Sequence, residues 1–110
     1  MESYSESRKK QSKKRMRESQ IERALVKTVE SMGGLAMKFV SPGVDGVPDR
    51  IVLLPGDHMA FVELKAPGKK LRPLQERRRE QMESLGFRVF VVDGVERIAP
   101  VLKEIGGDAR

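Results

Sequence analysis

The sequence lacks cysteine and tryptophan, and His58 is its single histidine. Without cysteine there can be no disulfide, no thiolate nucleophile and no cysteine-ligated zinc, and one histidine cannot form a histidine-rich metal cluster. Carboxylate oxygen therefore remains as the side-chain ligand for a metal ion, and it is the ligand type of Mg²⁺, Mn²⁺ or Ca²⁺. A cysteine-free chain also suits a reducing compartment, so we expect a cytoplasmic protein.

Long hydrophobic runs are also absent, since no apolar stretch approaches the ~20 residues that cross a bilayer. Residues 1–17 are charged and contain no hydrophobic stretch, which excludes a secretory signal there. We therefore expect neither a membrane partner nor export. A length of 110 residues suits one domain and is too short for two.

Positive charge is in excess, because the sequence has 22 Lys and Arg residues and 16 Asp and Glu residues, which gives a net charge of +6. Such a balance favours a polyanionic partner. Most of the excess lies in residues 1–18, which have little apolar surface to bury and are predicted to be a basic, flexible N-terminal arm. The arm is either a solvated segment or a phosphate-binding one, and the two interpretations overlap. The predicted globular domain is residues 19–110.

The remaining sequence alternates helical and strand patterns. A capping box at Ser19 opens an amphipathic helix that ends at Gly33, and a basic helix begins at Pro73. The predicted strands are residues 35–41, 50–54, 59–66 and 87–92, and residues 95–105 are predicted to form helical turns interrupted by Pro100. The second and third strands form a hairpin, and the basic helix is the crossover to a parallel fourth strand. We therefore predict an α/β fold with a mixed central sheet flanked by helices, in the order α-β-β-β-α-β-α.

Two carboxylates and a lysine carry the chemical signal. Side chains alternate along a strand, so Glu63 and Lys65 point to the same face while Leu64 points into the core. Asp49 opens the partner strand of the hairpin, near the end where Glu63 and Lys65 emerge. We therefore predict that two carboxylates and an ammonium converge at one point.

Phosphodiester hydrolysis needs this combination. Two or three carboxylates can bind a divalent ion, which activates a water molecule and neutralises the charge that develops on the phosphoryl oxygens. A neighbouring lysine can hold or deprotonate that water. The alternative is a solvent-facing charge pair at the end of a strand, with Asp49 an ordinary strand entry and Glu22 only a capping residue.

The extended pattern resembles the VRR-NUC domain nucleases of the PD-(D/E)xK phosphodiesterase superfamily. The resemblance covers roughly residues 22–92. It rests on Gly46-Val47-Pro48-Asp49, on Phe61-Val62-Glu63-Leu64-Lys65-Ala66-Pro67-Gly68, and on Leu74-Gln75 at the start of the basic helix. Gly86-Phe87-Arg88-Val89 resembles the start of the last core strand of the family.

The resemblance implies a restriction-endonuclease-like core with a Mg²⁺ or Mn²⁺ site. The ligands carried over from the family are Glu22, Asp49, Glu63 and the backbone carbonyl of Leu64. The catalytic set carried over is Asp49, Glu63, Lys65 and Gln75, in which Lys65 is the catalytic lysine and Gln75 orients Lys65 or the water. Glu30, on the same helix as Glu22, competes with it for the role of the additional acid.

The basic residues around the second helix are candidate contacts to the DNA backbone, although each can also be merely solubilising. They are Lys69, Lys70, Arg72, Arg77, Arg78 and Arg79. As a cluster they can offset the repulsion between an acidic site and its substrate. His58 lies in a predicted turn, where a solvated side chain is the simpler interpretation than a catalytic one.

Small stand-alone members of this family, often phage-encoded, resemble Holliday junction resolvases and act as dimers. The resemblance therefore implies a metal-dependent, structure-selective endonuclease of branched DNA, acting as a homodimer in the cytoplasm of a bacterial or phage-infected cell. A four-way junction is two-fold symmetric and needs two cuts, which suits a dimer. The apolar residues of the first helix and of the C-terminal segment could supply its interface, which the sequence does not locate. The alternatives are a non-catalytic nucleic-acid-binding accessory protein, a generic DNA nuclease, and a restriction-type enzyme, which would need base-contacting elements that the sequence does not show.

Overall fold

The structure is a computed structural model that describes residues 16–106, so most of the predicted N-terminal arm lies outside the described residues. The elements are α1 (Glu18–Ser31), β1 (Leu35–Lys38), β2 (Arg50–Leu54), β3 (His58–Leu64), α2 (Pro73–Ser84), β4 (Val89–Val92), a 3₁₀ turn (Val95–Arg97) and α3 (Ile98–Gly106). This order confirms the predicted α-β-β-β-α-β-α arrangement.

The four strands form one mixed sheet in the order β1-β2-β3-β4. The first three strands pair antiparallel, and β3 pairs parallel with β4 through the α2 crossover, as predicted. The turn between β2 and β3 places Gly56 and Asp57 at positive φ angles of 89° and 67°, which tight hairpin turns favour. This turn fixes the register of the hairpin, and the register decides which side chains meet at its far end.

The hydrophobic core lies between one face of the sheet and the helices α1 and α3. Ile21, Leu25 and Val29 recur at helical spacing on α1 and are fully buried. The core includes residues of α3 and of alternating sheet positions: Ile98, Val101, Leu102, Ile105, Ala36, Val52, Ala60, Val62 and Val92. The expectation that α1 and the C-terminal segment supply a dimer interface is wrong for these residues, because their apolar side chains already pack on their own sheet.

The opposite face of the sheet carries a row of apolar side chains. Met37, Ile51 and Phe61 lie side by side across the first three strands, and Leu35 pairs with Leu53 in the same register. Met37 is 38% exposed and Leu35 is 49% exposed. No described residue of α2 is buried, so this helix covers the opposite face only thinly.

Helix α1 begins earlier than the predicted capping box. Its first residue is Glu18 and its N-cap is Arg17, whose backbone N–H donates to the Gln20 side-chain oxygen at 2.8 Å. Ser19 therefore lies inside the helix, and the predicted capping role of Glu22 is wrong. The glutamine one turn in, rather than the serine, satisfies a free backbone donor.

Three strands are shorter than predicted. β1 ends at Lys38 because its partner β2 begins at Arg50, although the Phe39 N–H still donates to the Asp49 carbonyl at 2.8 Å. β4 begins at Val89 rather than Phe87, because the Phe87 N–H donates to the Met82 carbonyl at the end of α2 instead of joining the sheet. The hairpin strand β3 likewise ends at Leu64.

The C-terminal segment is more regular than expected. The 3₁₀ turn ends at Arg97, and α3 then runs for nine residues with Pro100 as its third residue. Proline is tolerated in the first turn of a helix, where its missing N–H has no intrahelical partner. Pro100 therefore does not interrupt the helix.

None of the helices within residues 16–106 is long and apolar enough to cross a membrane.

Candidate active site

The β2–β3 hairpin places Asp49 opposite Glu63. Arg50 pairs with Val62 in the antiparallel register, so the preceding Asp49 lies across from Glu63 at the open end of the hairpin. The Asp49 carboxylate accepts a hydrogen bond of 2.7 Å from the backbone N–H of Leu64. This bond fixes the Asp49 side chain against the end of β3.

Glu63 and Lys65 share the sheet face opposite the core. The Lys65 ammonium lies 3.8 Å from the Glu63 carboxylate, while Leu64 between them is buried in the core. Glu63 is 4% exposed and Lys65 is 9% exposed. The interpretation of Glu63 and Lys65 as a solvent-facing charge pair therefore does not hold, because both side chains are nearly inaccessible to water.

Gln75 joins helix α2 to this site. Its side-chain N–H donates to Glu63 Oε2 at 2.8 Å, while its oxygen accepts the backbone N–H of Arg72 at 2.9 Å. The family resemblance implies that Gln75 orients Lys65 or a water molecule, whereas the structure shows its contact with Glu63. Gln75 therefore caps the helix and holds the carboxylate at once.

Burial and mutual repulsion make the carboxylates costly to ionise. Burial, followed by the negative charge of Asp49, raises the pKa of Glu63 to about 7, although the Lys65 ammonium opposes the shift. Burial also raises the pKa of Asp49, against the effect of its hydrogen bond from the Leu64 N–H. A cation bound between these two adjacent carboxylates would stabilise their ionised forms.

Helix α1 brings two further acids toward the site. Glu22 accepts a hydrogen bond of 2.8 Å from Arg50 Nε, and this ion pair neutralises it. Glu18 lies one turn earlier; burial, followed by the negative charge of Asp49, raises its pKa. Sequence reasoning did not single out Glu18, although its spacing of four residues from Glu22 places both on one face of a helix.

The oxygen ligands at this site are few. Within residues 16–106 no three acidic or histidine side chains form a cluster that could hold a metal ion. Asp49 and Glu63 fit a divalent cation as hard, desolvated oxygen donors, and the backbone carbonyl of Leu64 is the third donor carried over from the sequence prediction. Glu22 would have to leave Arg50 to join them.

The predicted DNA-contact residues divide into two groups. Lys69, Lys70, Arg72 and Arg77 are exposed on the loop before α2 and on its outer side. Arg78 and Arg79 are half-buried and already engaged: Arg78 donates to the Asp45 carbonyl at 2.7 Å, and Arg79 pairs with Glu83 at 3.2 Å.

Comparisons with known proteins agree with this fold. The VRR-NUC domain profile matches residues 6–96. Over 78 residues the chain is 51% identical to the protein named "Putative nuclease p44" of Acyrthosiphon pisum secondary endosymbiont phage 1, an alignment that covers 71% of this chain and 84% of the phage protein. A solved structure described as "VRR_NUC domain" superposes with a TM-score of 0.74 at 31% identity, covering 78% of this chain and 94% of that chain.

The family model and the phage relative identify the chain as a nuclease. The chain belongs to the VRR-NUC domain family, which confirms the resemblance read from its sequence motifs.

Proposed function

We propose that this protein is a metal-dependent endonuclease that cleaves branched DNA, with the four-way junction as its preferred substrate. The observation that carries the proposal is the convergence of Asp49, Glu63 and Lys65 at the end of the β2–β3 hairpin. Glu63 and Lys65 are buried and Asp49 is half-buried, hydrogen bonds orient the two carboxylates, and the basic residues that flank α2 follow in sequence. Hydrolysis of a polyanionic phosphodiester needs both features.

Asp49, Glu63 and the Leu64 carbonyl would hold a Mg²⁺ or Mn²⁺ ion. When bound, such an ion neutralises charge on the phosphate and lowers the pKa of a coordinated water. The chain supplies the positions of its ligands: the Leu64 N–H orients Asp49, and Gln75 orients Glu63. Both carboxylates are therefore held in place before a substrate arrives.

Lys65 is the group that acts on the reacting atoms in this proposal. Its ammonium lies 3.8 Å from Glu63 in a site with little water. From there it can hold the attacking water or donate a hydrogen bond to a phosphoryl oxygen. A buried ammonium stabilises developing negative charge more strongly than an exposed one, because solvent screens it less.

The exposed basic residues beside the site are proposed to contact the DNA backbone. Lys69 and Lys70 lie in the loop that follows β3, Arg72 precedes α2, and Arg77 is exposed on the helix. Phosphate contacts of this kind position the duplex without reading its sequence, which suits a structure-selective enzyme.

Dimerisation is the second part of the proposal, since two symmetric cuts on a junction favour a two-fold enzyme. The surface proposed for the second copy is the apolar sheet face described above. Its most exposed members, Leu35, Met37 and Leu53, are contiguous across β1 and β2. The interface residues expected from the sequence are instead in the core.

Gel-resolved cleavage of linear duplex, flap and four-way junction DNA in Mg²⁺ or Mn²⁺ tests the proposed substrate. We expect the junction to be cut fastest and EDTA to stop all cutting. Equal cutting of all three substrates would reduce the proposal to a nuclease without junction preference. Salt-sensitive binding with no EDTA-sensitive cleavage would indicate a non-catalytic accessory protein.

Two variants test the other parts. Lys65→Met should abolish cleavage while retaining junction binding, measured by gel shift, because it removes the ammonium without removing exposed basic residues. Met37→Glu should convert a dimer to a monomer in sedimentation equilibrium, because it places a charge in the apolar face. A wild-type protein that sediments as a monomer contradicts the dimer.

A further inference from the structure

The inward face of α2 is polar where a helix normally packs through apolar residues. Its half-buried positions are Gln75, Arg78, Arg79 and Met82, which follow the spacing of one helical face. No residue of α2 is fully buried, so little hydrophobic burial holds the helix in place. Specific contacts must therefore position α2 on the domain; one of them goes to Glu63 and another to the loop that leads into Asp49.

One contact joins α2 to the loop that leads into Asp49. Arg78 Nε donates a hydrogen bond of 2.7 Å to the backbone carbonyl of Asp45, and its terminal nitrogen donates to the Gln81 side chain at 2.6 Å. The donor and acceptor are 33 residues apart in sequence. Arg78 therefore ties the helix to a loop position four residues before the proposed ligand Asp49.

Gly46, the next residue of the loop, allows the loop to lie close to α2. Gly46 has a φ angle of 80°, and a Cβ there would lie 2.9 Å from the Leu74 backbone oxygen. Any side chain at this position would push the loop away from α2 and would also strain the backbone. Loop and helix thus meet through Gly46 against Leu74 and through Arg78 against Asp45.

We propose that Arg78 is a positioning residue that clamps the loop of residues 44–49 to α2 and so fixes Asp49 relative to Glu63. The proposal rests on the proposed metal site, because it concerns the distance between two of its ligands. On the same helix face, three residues earlier, Gln75 holds Glu63. One side of α2 therefore orients both carboxylates, and the opposite side, with Arg77, is free to meet DNA.

The test compares Arg78→Met with the matched variant Arg77→Met, since each removes one positive charge and leaves a good helix former. Isothermal titration of the metal-free protein with Mn²⁺ measures metal affinity. The dependence of DNA affinity on salt, measured in EDTA, counts phosphate contacts. Arg78→Met should bind Mn²⁺ about tenfold more weakly and keep the wild-type salt dependence. Arg77→Met should keep the wild-type Mn²⁺ affinity and reduce the slope of the salt dependence by about 0.9.

The expected sign separates positioning from a simple charge effect. Removing a cation near an acidic site strengthens cation binding by electrostatics alone, so weaker Mn²⁺ binding by Arg78→Met requires a change in geometry. Unchanged or stronger Mn²⁺ binding, or loss of salt dependence in this variant, would overturn the clamp. A wild-type protein that binds no Mn²⁺ would instead refute the proposed metal site.

A second variant tests the clamp without changing charge. Gly46→Ala should also weaken Mn²⁺ binding, because its Cβ separates the loop from the Leu74 carbonyl. Circular dichroism and a thermal midpoint for each variant establish that it is folded. If Gly46→Ala is folded and binds Mn²⁺ like the wild type, close contact between loop and helix does not position Asp49, and the proposal fails.

Discussion

Replacing Glu63 with glutamine should raise the free energy of unfolding of the metal-free protein more at alkaline pH than at acidic pH, relative to the wild type. Glutamine keeps the size of the side chain and an oxygen that can accept the hydrogen bond from Gln75. It removes a carboxylate that is 4% exposed and lies beside Asp49. Glu63→Gln should therefore abolish activity by removing a proposed metal ligand. It should also remove the unfavourable free energy of ionising a buried carboxylate beside Asp49.

The magnitude follows from the raised pKa. Burial and the charge of Asp49 raise the pKa of Glu63 from its ordinary value of 4.5 to about 7. At about 1.4 kcal/mol for each factor of ten in proton affinity, this difference is worth about 3 kcal/mol. The folded state holds the proton more tightly than the unfolded state, so this contribution is fully present below pH 4.5 and is lost as pH rises through 7.

Urea unfolding at pH 5 and pH 8 in EDTA measures the effect. The wild type should lose about 2 to 3 kcal/mol more stability between these two pH values than Glu63→Gln does, because a small part of the contribution is already lost at pH 5. Comparing the two proteins cancels the contributions of the other titrating groups that they share. Equal pH dependence of the two proteins would refute the reasoning, because it would mean that Glu63 ionises in the folded state as easily as in the unfolded chain.

Three further predictions concern the site and the core. At pH 8, Mn²⁺ should raise the thermal midpoint of the wild type and raise that of Glu63→Gln much less, as measured by differential scanning fluorimetry; equal shifts would place the ion elsewhere. Leu102→Ala should cost about 2 to 5 kcal/mol in urea unfolding, because Leu102 is 1% exposed in the core, and a smaller loss would show that the site collapses around the cavity. A double-mutant cycle with Arg50→Met and Glu22→Gln should give a coupling of about 1 kcal/mol, and a value near zero would mean that this ion pair does not hold Glu22.

The paired carboxylates could be predicted from sequence because their placement depends on short-range geometry. Alternation along a strand puts Glu63 and Lys65 on one face, and a hairpin turn at residues 55–57 puts Asp49 opposite Glu63. Both arguments need only the geometry of one strand and of one hairpin. The mixed topology followed in the same way, because a helix between two strands implies a parallel crossover.

The remaining features depend on contacts that span most of the chain. The hydrogen bond between Arg78 and the Asp45 carbonyl forms only because α2 packs against the loop of Asp45. No local sequence pattern predicts that packing. The amphipathic stripe of α1 was predicted, but an apolar stripe does not reveal whether it packs on its own sheet or on a partner. As a candidate dimer interface it was wrong for that reason, since its apolar residues lie in the core.

The two carboxylates of the site are well oriented, but their negative charge is only partly compensated. The protein itself supplies the geometry, because hydrogen bonds from the Leu64 N–H and from Gln75 orient the two carboxylates. The protein does not fully compensate the negative charge, because the single ammonium of Lys65 lies near buried Glu63 and half-buried Asp49. The pKa of each carboxyl stays raised despite it. In the proposed function, a site that is ordered but short of positive charge would bind a divalent cation without having to rearrange, so more of the electrostatic attraction would be available as binding energy.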